Sequence, residues 1–115
     1  MSHLKIVTYV PVTHADKVRE AIGKAGGGKL GDYSFCSFSS RGVGRFLPGT
    51  GAKPAIGKIG KLEEVEEERI EFVCDTDLRA KVLKAIRQAH PYEEPAIDVW
   101  PLATAVARRF TRNKR

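Results

Sequence analysis

The sequence predicts an α+β domain in which a four-stranded antiparallel sheet carries two helices on one face. Two observations lead to this prediction. Segments with the apolar pattern of strands occur four times, and segments with apolar residues at helical spacing occur twice. Their order is strand, helix, strand, strand, helix, strand, which divides into two similar halves. The 115 residues, 42% of them hydrophobic, suit one such domain around one core.

The first predicted strand and helix follow each other closely. Residues 4–10 carry apolar side chains on both alternating faces, which is typical of a strand buried on both sides. Pro11 ends the strand, and a helix starts at Thr13 or His14. Glycines 26–28 end this helix, because glycine adopts the left-handed geometry of a helix C-terminal cap. The apolar stripe of the helix consists of Val18, Ala21, Ile22 and Ala25.

The middle of the chain supplies two strands and a long connection. Residues 33–46 form the predicted second strand, in which Gly42 and Gly44 indicate a bulge or a close backbone approach. Residues 47–57 are rich in Gly and Pro and are too long for a simple hairpin turn, and long ordered loops are often functional. Residues 64–74 alternate clearly, which predicts the third strand. Its predicted buried face consists of Ile70, Phe72 and Cys74.

The last predicted elements are a helix, a polar turn and a strand. A capping residue within positions 75–77 starts the helix. A turn flanked by Pro91 and Pro95 follows, and residues 97–102 form the last strand. Pro101 places this strand at a sheet edge or ends it early. This βαββαβ order is that of the ferredoxin-like split βαβ fold. The apolar stripe of the second helix is Leu78, Val82, Ala85, Ile86 and Ala89.

The net charge of +6 is concentrated at the C-terminal end. Without residues 108–115, which carry five basic side chains, 15 basic residues face 14 acidic ones. We therefore interpret residues 1–107 as the single domain and residues 108–115 as a flexible basic tail. Nucleic-acid binding is expected only weakly, through this tail.

Cysteine usage and hydropathy predict a cytoplasmic protein. Cys36 and Cys74 lie among apolar residues of predicted strands, without metal-pair spacing, and we interpret both as reduced core thiols. No apolar run approaches the roughly 20 residues of a membrane helix. The N-terminal residues lack the layout of a signal peptide. No membrane association is expected.

The Gly-rich loop is the first candidate binding segment. Gly49, Gly51 and Gly57 free the backbone, so that successive N–H groups can converge on an anion. Arg45 and Lys53 add positive charge beside them. The loop is not a phosphate-binding P-loop, because no Gly-Lys-Ser/Thr sequence opens a helix there. One interpretation is ligand or partner binding, and the other is a loop that only shapes an interface.

The turn that begins at His90 is the second candidate segment. The imidazole of His90 and the carboxylates of Glu93 and Glu94 are possible ligands of a divalent metal ion, and Tyr92 is a possible ligand contact. A structural role is the alternative. In that reading His90 interacts with the last helical turn, Tyr92 packs, and Glu93 or Glu94 pairs with a cation such as Arg69 or accepts backbone N–H groups.

Three segments resemble the small domain of the YqfO, or Nif-three-like, family. They are residues 42–48 with 51–57, residues 64–71 and residues 89–99. The resemblance implies a fold similar to the trimeric PII signalling proteins and CutA divalent-cation tolerance proteins. It implies no dinuclear metal chemistry, because no segment resembles the metal-binding part of that family. The turn from His90 also resembles one in CutA proteins, which weakly implies binding of copper or another divalent cation.

These observations predict a non-enzymatic binding or regulatory module. We expect a homo-oligomer, most simply a trimer, because both faces of the first strand are apolar and the open sheet face needs cover. Recognition is expected at intersubunit clefts formed by residues 42–60 and 90–95, with a small anionic ligand, a divalent cation or a protein partner as occupant. The alternatives are a CutA-like metal-binding protein and an accessory subunit of a metal-dependent hydrolase. No His and Asp pattern marks a serine nucleophile.

Overall fold

A computed structural model describes residues 2–103 and confirms the predicted order of elements. A single 3-10 turn precedes each helix. The bounds are β1 (His3–Pro11), α1 (Ala15–Lys24), β2 (Phe38–Phe46), β3 (Glu63–Asp75), α2 (Arg79–Ala89) and β4 (Ile97–Leu102). The predicted tail, residues 108–115, lies outside the described residues.

The sheet is fully antiparallel with the strand order β2-β3-β1-β4, as the ferredoxin-like prediction requires. β1 lies in the middle, where Ile6 faces Phe72 of β3 and Val99 of β4. β4 is an edge strand, which agrees with the position of Pro101 within it. No helix among the described residues is long and apolar enough to cross a membrane.

The core lies between the two helices and one face of the sheet. Both predicted helical stripes point into it, and β1 contributes to both sheet faces because Val7, opposite in direction to Ile6, is also fully buried. The hydroxyl of Thr8, likewise buried, donates to the carbonyl oxygen of Ala96 at 2.9 Å, so its burial leaves no polar atom unpaired. Large core side chains that are at most 2% exposed are Ile6, Val10, Val18, Ile70, Phe72, Val82 and Ile86.

The second strand begins later than predicted, at Phe38 instead of residue 33. The reason is that another segment, the chain after α1, already hydrogen-bonds to the end of β3. The amide of Gly28 donates to the carbonyl oxygen of Val73 at 2.7 Å, so the chain after α1 occupies the position that an earlier β2 would need. The amide of Cys36 then donates to the carbonyl oxygen of Gly28 at 2.8 Å, which holds residues 33–37 in a loop.

The two cysteines therefore have different environments. Cys74 is buried in β3, as predicted, and burial together with the nearby Asp75 raises the pKa of its thiol. The prediction for Cys36 was wrong, because this residue is a half-buried loop residue and not part of a strand or of the core. Its neighbour Phe35 has a left-handed backbone (φ 58°) and lays its ring against Gly23, where no side chain would fit.

The outer half of the β2–β3 hairpin carries no buried position, although Arg19 of α1 reaches its inner end through an ion pair with Glu68. Buried positions on β3 begin only at Ile70, so residues 63–69 and their β2 partners form an arm with both faces at least partly exposed. This arm contributes to the elongated outline of 54 × 24 × 23 Å. The long loop, residues 47–62, connects its two strands, and its residues 52–56 line the same space as Glu67 and Arg69 of the open sheet face.

Candidate functional site

The Gly-rich loop and the turn after α2 meet around one cavity of about 690 Å³ on the open face of the sheet. The arm strand β2 forms its floor, residues 52–56 form its roof, and residues 92–96 form an end wall. Two segments that are about forty residues apart in sequence thus line one space, because the antiparallel sheet brings β2, β3 and the start of β4 side by side.

Two glycines expose backbone on the floor of the cavity. Gly42 and Gly44 lie on the open face of β2, where Gly42 pairs with Glu67 of β3. A Cβ at Gly44 would overlap the Glu67 carboxylate, whereas a Cβ at Gly42 would meet no atom within 4 Å. The register is continuous here, so the predicted close approach exists and the alternative of a bulge does not.

The roof is attached to the end wall by a hydrogen bond from a backbone amide to a side-chain carboxylate. The amide of Lys53 donates to Oε1 of Glu93 at 2.9 Å. At the base of the loop, the amide of Gly60 donates to the carbonyl oxygen of Pro48 at 2.8 Å. Gly51 and Gly57 have φ angles of 95° and 93°, which side-chain-bearing residues rarely adopt. These glycines therefore turn the loop back over the sheet.

Tyr92 forms the polar part of the end wall. Its hydroxyl donates to Oε2 of Glu67 at 2.7 Å, and its ring meets Phe46 edge to face with centroids 5.6 Å apart. Burial and the Glu67 carboxylate both raise the pKa of the Tyr92 phenol, so it remains a hydrogen-bond donor at neutral pH.

His90 lies behind Tyr92 and connects the turn to β1. Its backbone amide donates to the carbonyl oxygen of Ile86 at 2.8 Å, which completes the last turn of α2. Its Nε2 lies 2.7 Å from the carbonyl oxygen of Tyr9, and its Nδ1 accepts from the amide of Tyr92 at 3.1 Å. This pattern assigns the neutral tautomer protonated at Nε2, because a carbonyl oxygen can only accept. Burial lowers the pKa of the imidazole, and the bond to the Tyr9 carbonyl partly opposes this.

The predicted site residues fall into three groups. Tyr92, Arg45, Glu93 and Glu94 line the cavity, and Lys53 belongs to it through its backbone amide. The glycines of the loop shape the roof without lining the space, and His90 positions Tyr92 from behind. Arg45 is an exposed residue whose Nε pairs with Oε2 of Glu64 at 3.0 Å. The predicted residues outside the lining are Gly49, Gly51, Lys53, Gly57 and His90.

Sequence reasoning missed Glu67, Arg69 and Phe46, which also line the cavity. Alternation along β3 places Glu67 and Arg69 on the non-core face, but it does not indicate that the loop folds over them. The Nε of Arg69 is buried without a hydrogen bond and lies 3.5 Å from Oε2 of Glu71. Lys5 shares the same carboxylate, 3.3 Å from its Oε1, so Glu71 faces two cations.

The residues predicted to bind metal do not form a ready cluster. Within residues 2–103, no group of three or more His, Cys, Asp or Glu side chains is arranged to hold a metal ion. Both nitrogens of His90 are engaged within the protomer, and Glu93 holds the loop. Metal binding at His90, Glu93 and Glu94 would thus require these bonds to be exchanged, and it stays a prediction.

Comparison with known proteins finds similar sequences and structures, although no family model matches. A protein called GTP cyclohydrolase 1 type 2 homolog from Halalkalibacterium halodurans is 52% identical over 99 residues. A relative of the same name from Bacillus subtilis is 45% identical over 105 residues. The crystal structure of a Bacillus cereus protein related to NIF3 superposes with a TM-score of 0.76 at 51% identity. Over this segment the chain is similar to proteins of the YqfO, or Nif-three-like, family.

The match covers most of this chain and only part of each relative. The match with the Halalkalibacterium protein spans 86% of this chain and 27% of that protein. For the Bacillus subtilis protein it spans 91% of this chain and 28% of the relative. For the Bacillus cereus structure it spans 88% of this chain and 26% of that chain. The YqfO resemblance of the sequence is thereby confirmed for the fold of this segment. The activity of the whole relatives does not follow from it.

CutA structures confirm the predicted fold likeness at lower identity. CutA from Synechococcus elongatus has a TM-score of 0.66 at 18% identity and covers 94% of this chain and 84% of its own. The periplasmic divalent cation tolerance protein CutA from Archaeoglobus fulgidus has a TM-score of 0.61 at 19% identity, covering 87% and 83%. At such identities the likeness concerns the fold alone.

Proposed function

We propose that this chain is a non-enzymatic binding module whose ligand occupies the cavity between the Gly-rich loop and the turn after α2. The observation that supports this most is the cavity itself. Its volume of about 690 Å³ is within the roughly 300–1,000 Å³ typical of small-molecule sites. Its walls are mainly apolar, with a few polar groups of the kind that orient a ligand, among them Arg69, Glu67 and Tyr92.

The attachment of the roof suits a regulatory role. The hydrogen bond from the Lys53 amide to Glu93 joins the loop to the end wall, and glycines allow the loop to rotate on either side of it. A small anionic ligand near Lys53 or Arg45, or a protein partner, would act on this bond and change the position of the loop. The binding event would thus be transmitted to an exposed segment.

We further propose that the module is a homo-oligomer, most simply a trimer, assembled through the open face. Phe38 and Trp100, which are 65% and 40% exposed, lie on this face. Exposed large aromatic side chains on one sheet face are typical of an interface. A second copy over this face would close the open side of the cavity and make it an intersubunit cleft. A cytoplasmic location remains part of the proposal.

A thermal-shift experiment with matched glycine variants tests the cavity. Gly42→Leu places a side chain into the cavity, whereas Gly49→Leu places one outside it, and neither Cβ meets another atom within 4 Å. A panel of nucleotides, small organic acids and divalent metal salts is screened for a rise in melting temperature. We expect a compound that stabilises the wild type and Gly49→Leu but not Gly42→Leu. An equal rise in both variants, or no rise with any compound, would contradict ligand binding in the cavity.

Divalent-cation binding is the second candidate function, favoured by the likeness to structures named for cation tolerance. The residues proposed for it are His90, Glu93 and Glu94. Calorimetric titration with copper and zinc on the wild type and on His90→Ala tests it, and equal weak binding by both would remove His90 from the site. A third candidate is an accessory subunit of a metal-dependent hydrolase, for which another chain would have to supply the metal centre.

A further inference from the structure

We propose that the outer groove between α1 and α2 docks an acidic amphipathic helix of a partner protein. The groove has a volume of about 590 Å³ and lies on the helical side of the sheet, away from the cavity. The inference is independent of the proposed function, because the two sites share no lining residue.

The floor of the groove is made of small apolar side chains from both helices. Ala25 and Ala89 are each only 7% exposed, and Ala21 and Ala85 pack on the core beside them. Alanine lets another backbone approach closely, so a third helix can place a ridge of side chains between α1 and α2. Such a ridge gains free energy by removing its apolar surface from water.

The rim of the groove is basic. Lys17 and Lys24 lie on the α1 side, and Lys81 and Lys84 lie on the α2 side. Glu20 is the acidic residue on the rim, and its carboxylate lies 3.2 Å from the amine of Lys24. Among residues 2–103, no salt bridge or hydrogen bond engages the other three lysines. The rim therefore offers three uncompensated positive charges to a partner.

This charge distribution corrects the expectation that basicity belongs to the tail alone. The net charge of residues 1–107 is close to zero, but the basic and acidic side chains lie in different parts of the domain. α2 carries four basic residues and no acidic residue, whereas five of the six residues at positions 63–68 are glutamates. The carboxylates lie on the β3 side of the arm, and the lysines lie on the helices. A partner thus meets a basic helical face.

The composition of the groove favours a protein helix over nucleic acid. Its lining within the described residues includes no aromatic side chain on which bases would stack. A phosphate backbone would use the lysine rim and leave the alanine floor unused. An amphipathic helix uses both, since its apolar ridge contacts the alanines while its flanking carboxylates reach the lysines. Helix-in-groove recognition of this kind is a common mode of binding.

The test is an NMR titration with a synthetic probe. The probe is a helical peptide of about 15 residues with an alanine and leucine ridge flanked by glutamates, and its control has glutamines in place of the glutamates. We expect amide shifts confined to α1 and α2, and binding of the glutamate peptide that is about tenfold tighter than that of the glutamine peptide.

Charge-reversal variants on one helix give the matched control. Lys81→Glu with Lys84→Glu reverses two charges on the rim, and Arg79→Glu with Arg87→Glu makes the same change on α2 outside the groove lining. We expect about tenfold weaker peptide binding for the first pair and about a twofold change for the second. Equal losses in both pairs, equal binding of the glutamine peptide, or tighter binding of a DNA duplex or of anionic vesicles than of the peptide would overturn the proposal.

Discussion

The hydroxyl of Tyr92 donates a 2.7 Å hydrogen bond to the carboxylate of Glu67 and so joins the turn after α2 to the arm strand β3. The bond closes one end of the cavity. It also fixes the Glu67 side chain over Gly44, where a side chain on β2 would have to lie. The ring of Tyr92 also packs against Phe46, so this one residue connects the turn to both β3 and β2.

Removal of the Tyr92 hydroxyl is expected to destabilise the fold. In Tyr92→Phe the partly buried Glu67 carboxylate loses its donor, so we expect the free energy of unfolding to fall by about 1–2 kcal/mol. Urea denaturation measures the change. Tyr9→Phe is the control, because the Tyr9 hydroxyl makes no hydrogen bond within residues 2–103 while its ring also lines the cavity. Equal losses in the two variants would show that the Tyr92–Glu67 bond contributes nothing.

Gly44 and Tyr92 are expected to be energetically coupled. Gly44→Ala pushes the Glu67 carboxylate away from the Tyr92 hydroxyl, whereas Gly42→Ala meets open space. We expect Gly44→Ala to cost about 1–2 kcal/mol in the wild type and clearly less in Tyr92→Phe, with Gly42→Ala near neutral in both. A double-mutant cycle by urea denaturation measures this coupling. Strict additivity of Gly44→Ala and Tyr92→Phe would contradict it.

His90 is expected to make stability depend on pH below neutrality. Burial holds its pKa below the 6.5 of an unfolded chain, so the unfolded state binds the proton more readily than the folded state. Its contribution is therefore complete above about pH 6.5 and is lost as the pH falls through that value. Protonation of Nδ1 would also place two donors face to face, since the Tyr92 amide points at it.

The pH effect is measured by urea unfolding of the wild type and His90→Gln at about pH 7 and about pH 5. Glutamine keeps one donor and one acceptor but does not titrate. We expect the wild type to lose more stability between the two values than the variant loses. Parallel losses would assign the pH dependence to other groups.

The hydrogen bond between Lys53 and Glu93 is expected to hold the loop locally. In Glu93→Ala the Lys53 amide loses its acceptor, so we expect its hydrogen exchange to accelerate by about tenfold while the global stability changes by less than about 0.5 kcal/mol. Glu94→Ala is the matched control, because Glu94 is also exposed and makes no hydrogen bond or salt bridge among the described residues. Unchanged exchange at Lys53 would mean that other contacts place the roof.

The order of the elements was predictable because local periodicity determined it. The strand predicted from alternation and the two helices predicted from apolar spacing lie close to the observed bounds of β3, α1 and α2. The start of β2 was not predictable from residues 33–37, because their composition is typical of a strand. What keeps them out of the sheet is the hydrogen bond from the amide of Gly28 to the carbonyl oxygen of Val73. That bond joins residues far apart in sequence, and no local pattern indicates it.

The candidate site was predictable as two segments but not as a cavity. Prolines around the turn and glycines in the loop indicated where the chain bends. The sequence did not indicate that Glu93 accepts the Lys53 amide, or that the nitrogens of His90 contact Tyr9 and Tyr92. Such partners are chosen by tertiary packing, so the sequence favoured a structural role for His90 over a ligand role without identifying the atoms involved.

Pro101 has a consequence for aggregation. Edge strands with free backbone N–H groups are templates on which further chains can add, and β4 lacks one such group at Pro101. The opposite edge, β2, contains no proline between Phe38 and Phe46. If partly unfolded copies grow into fibrils through sheet edges, growth should therefore start at β2, and a proline introduced into that strand should slow it.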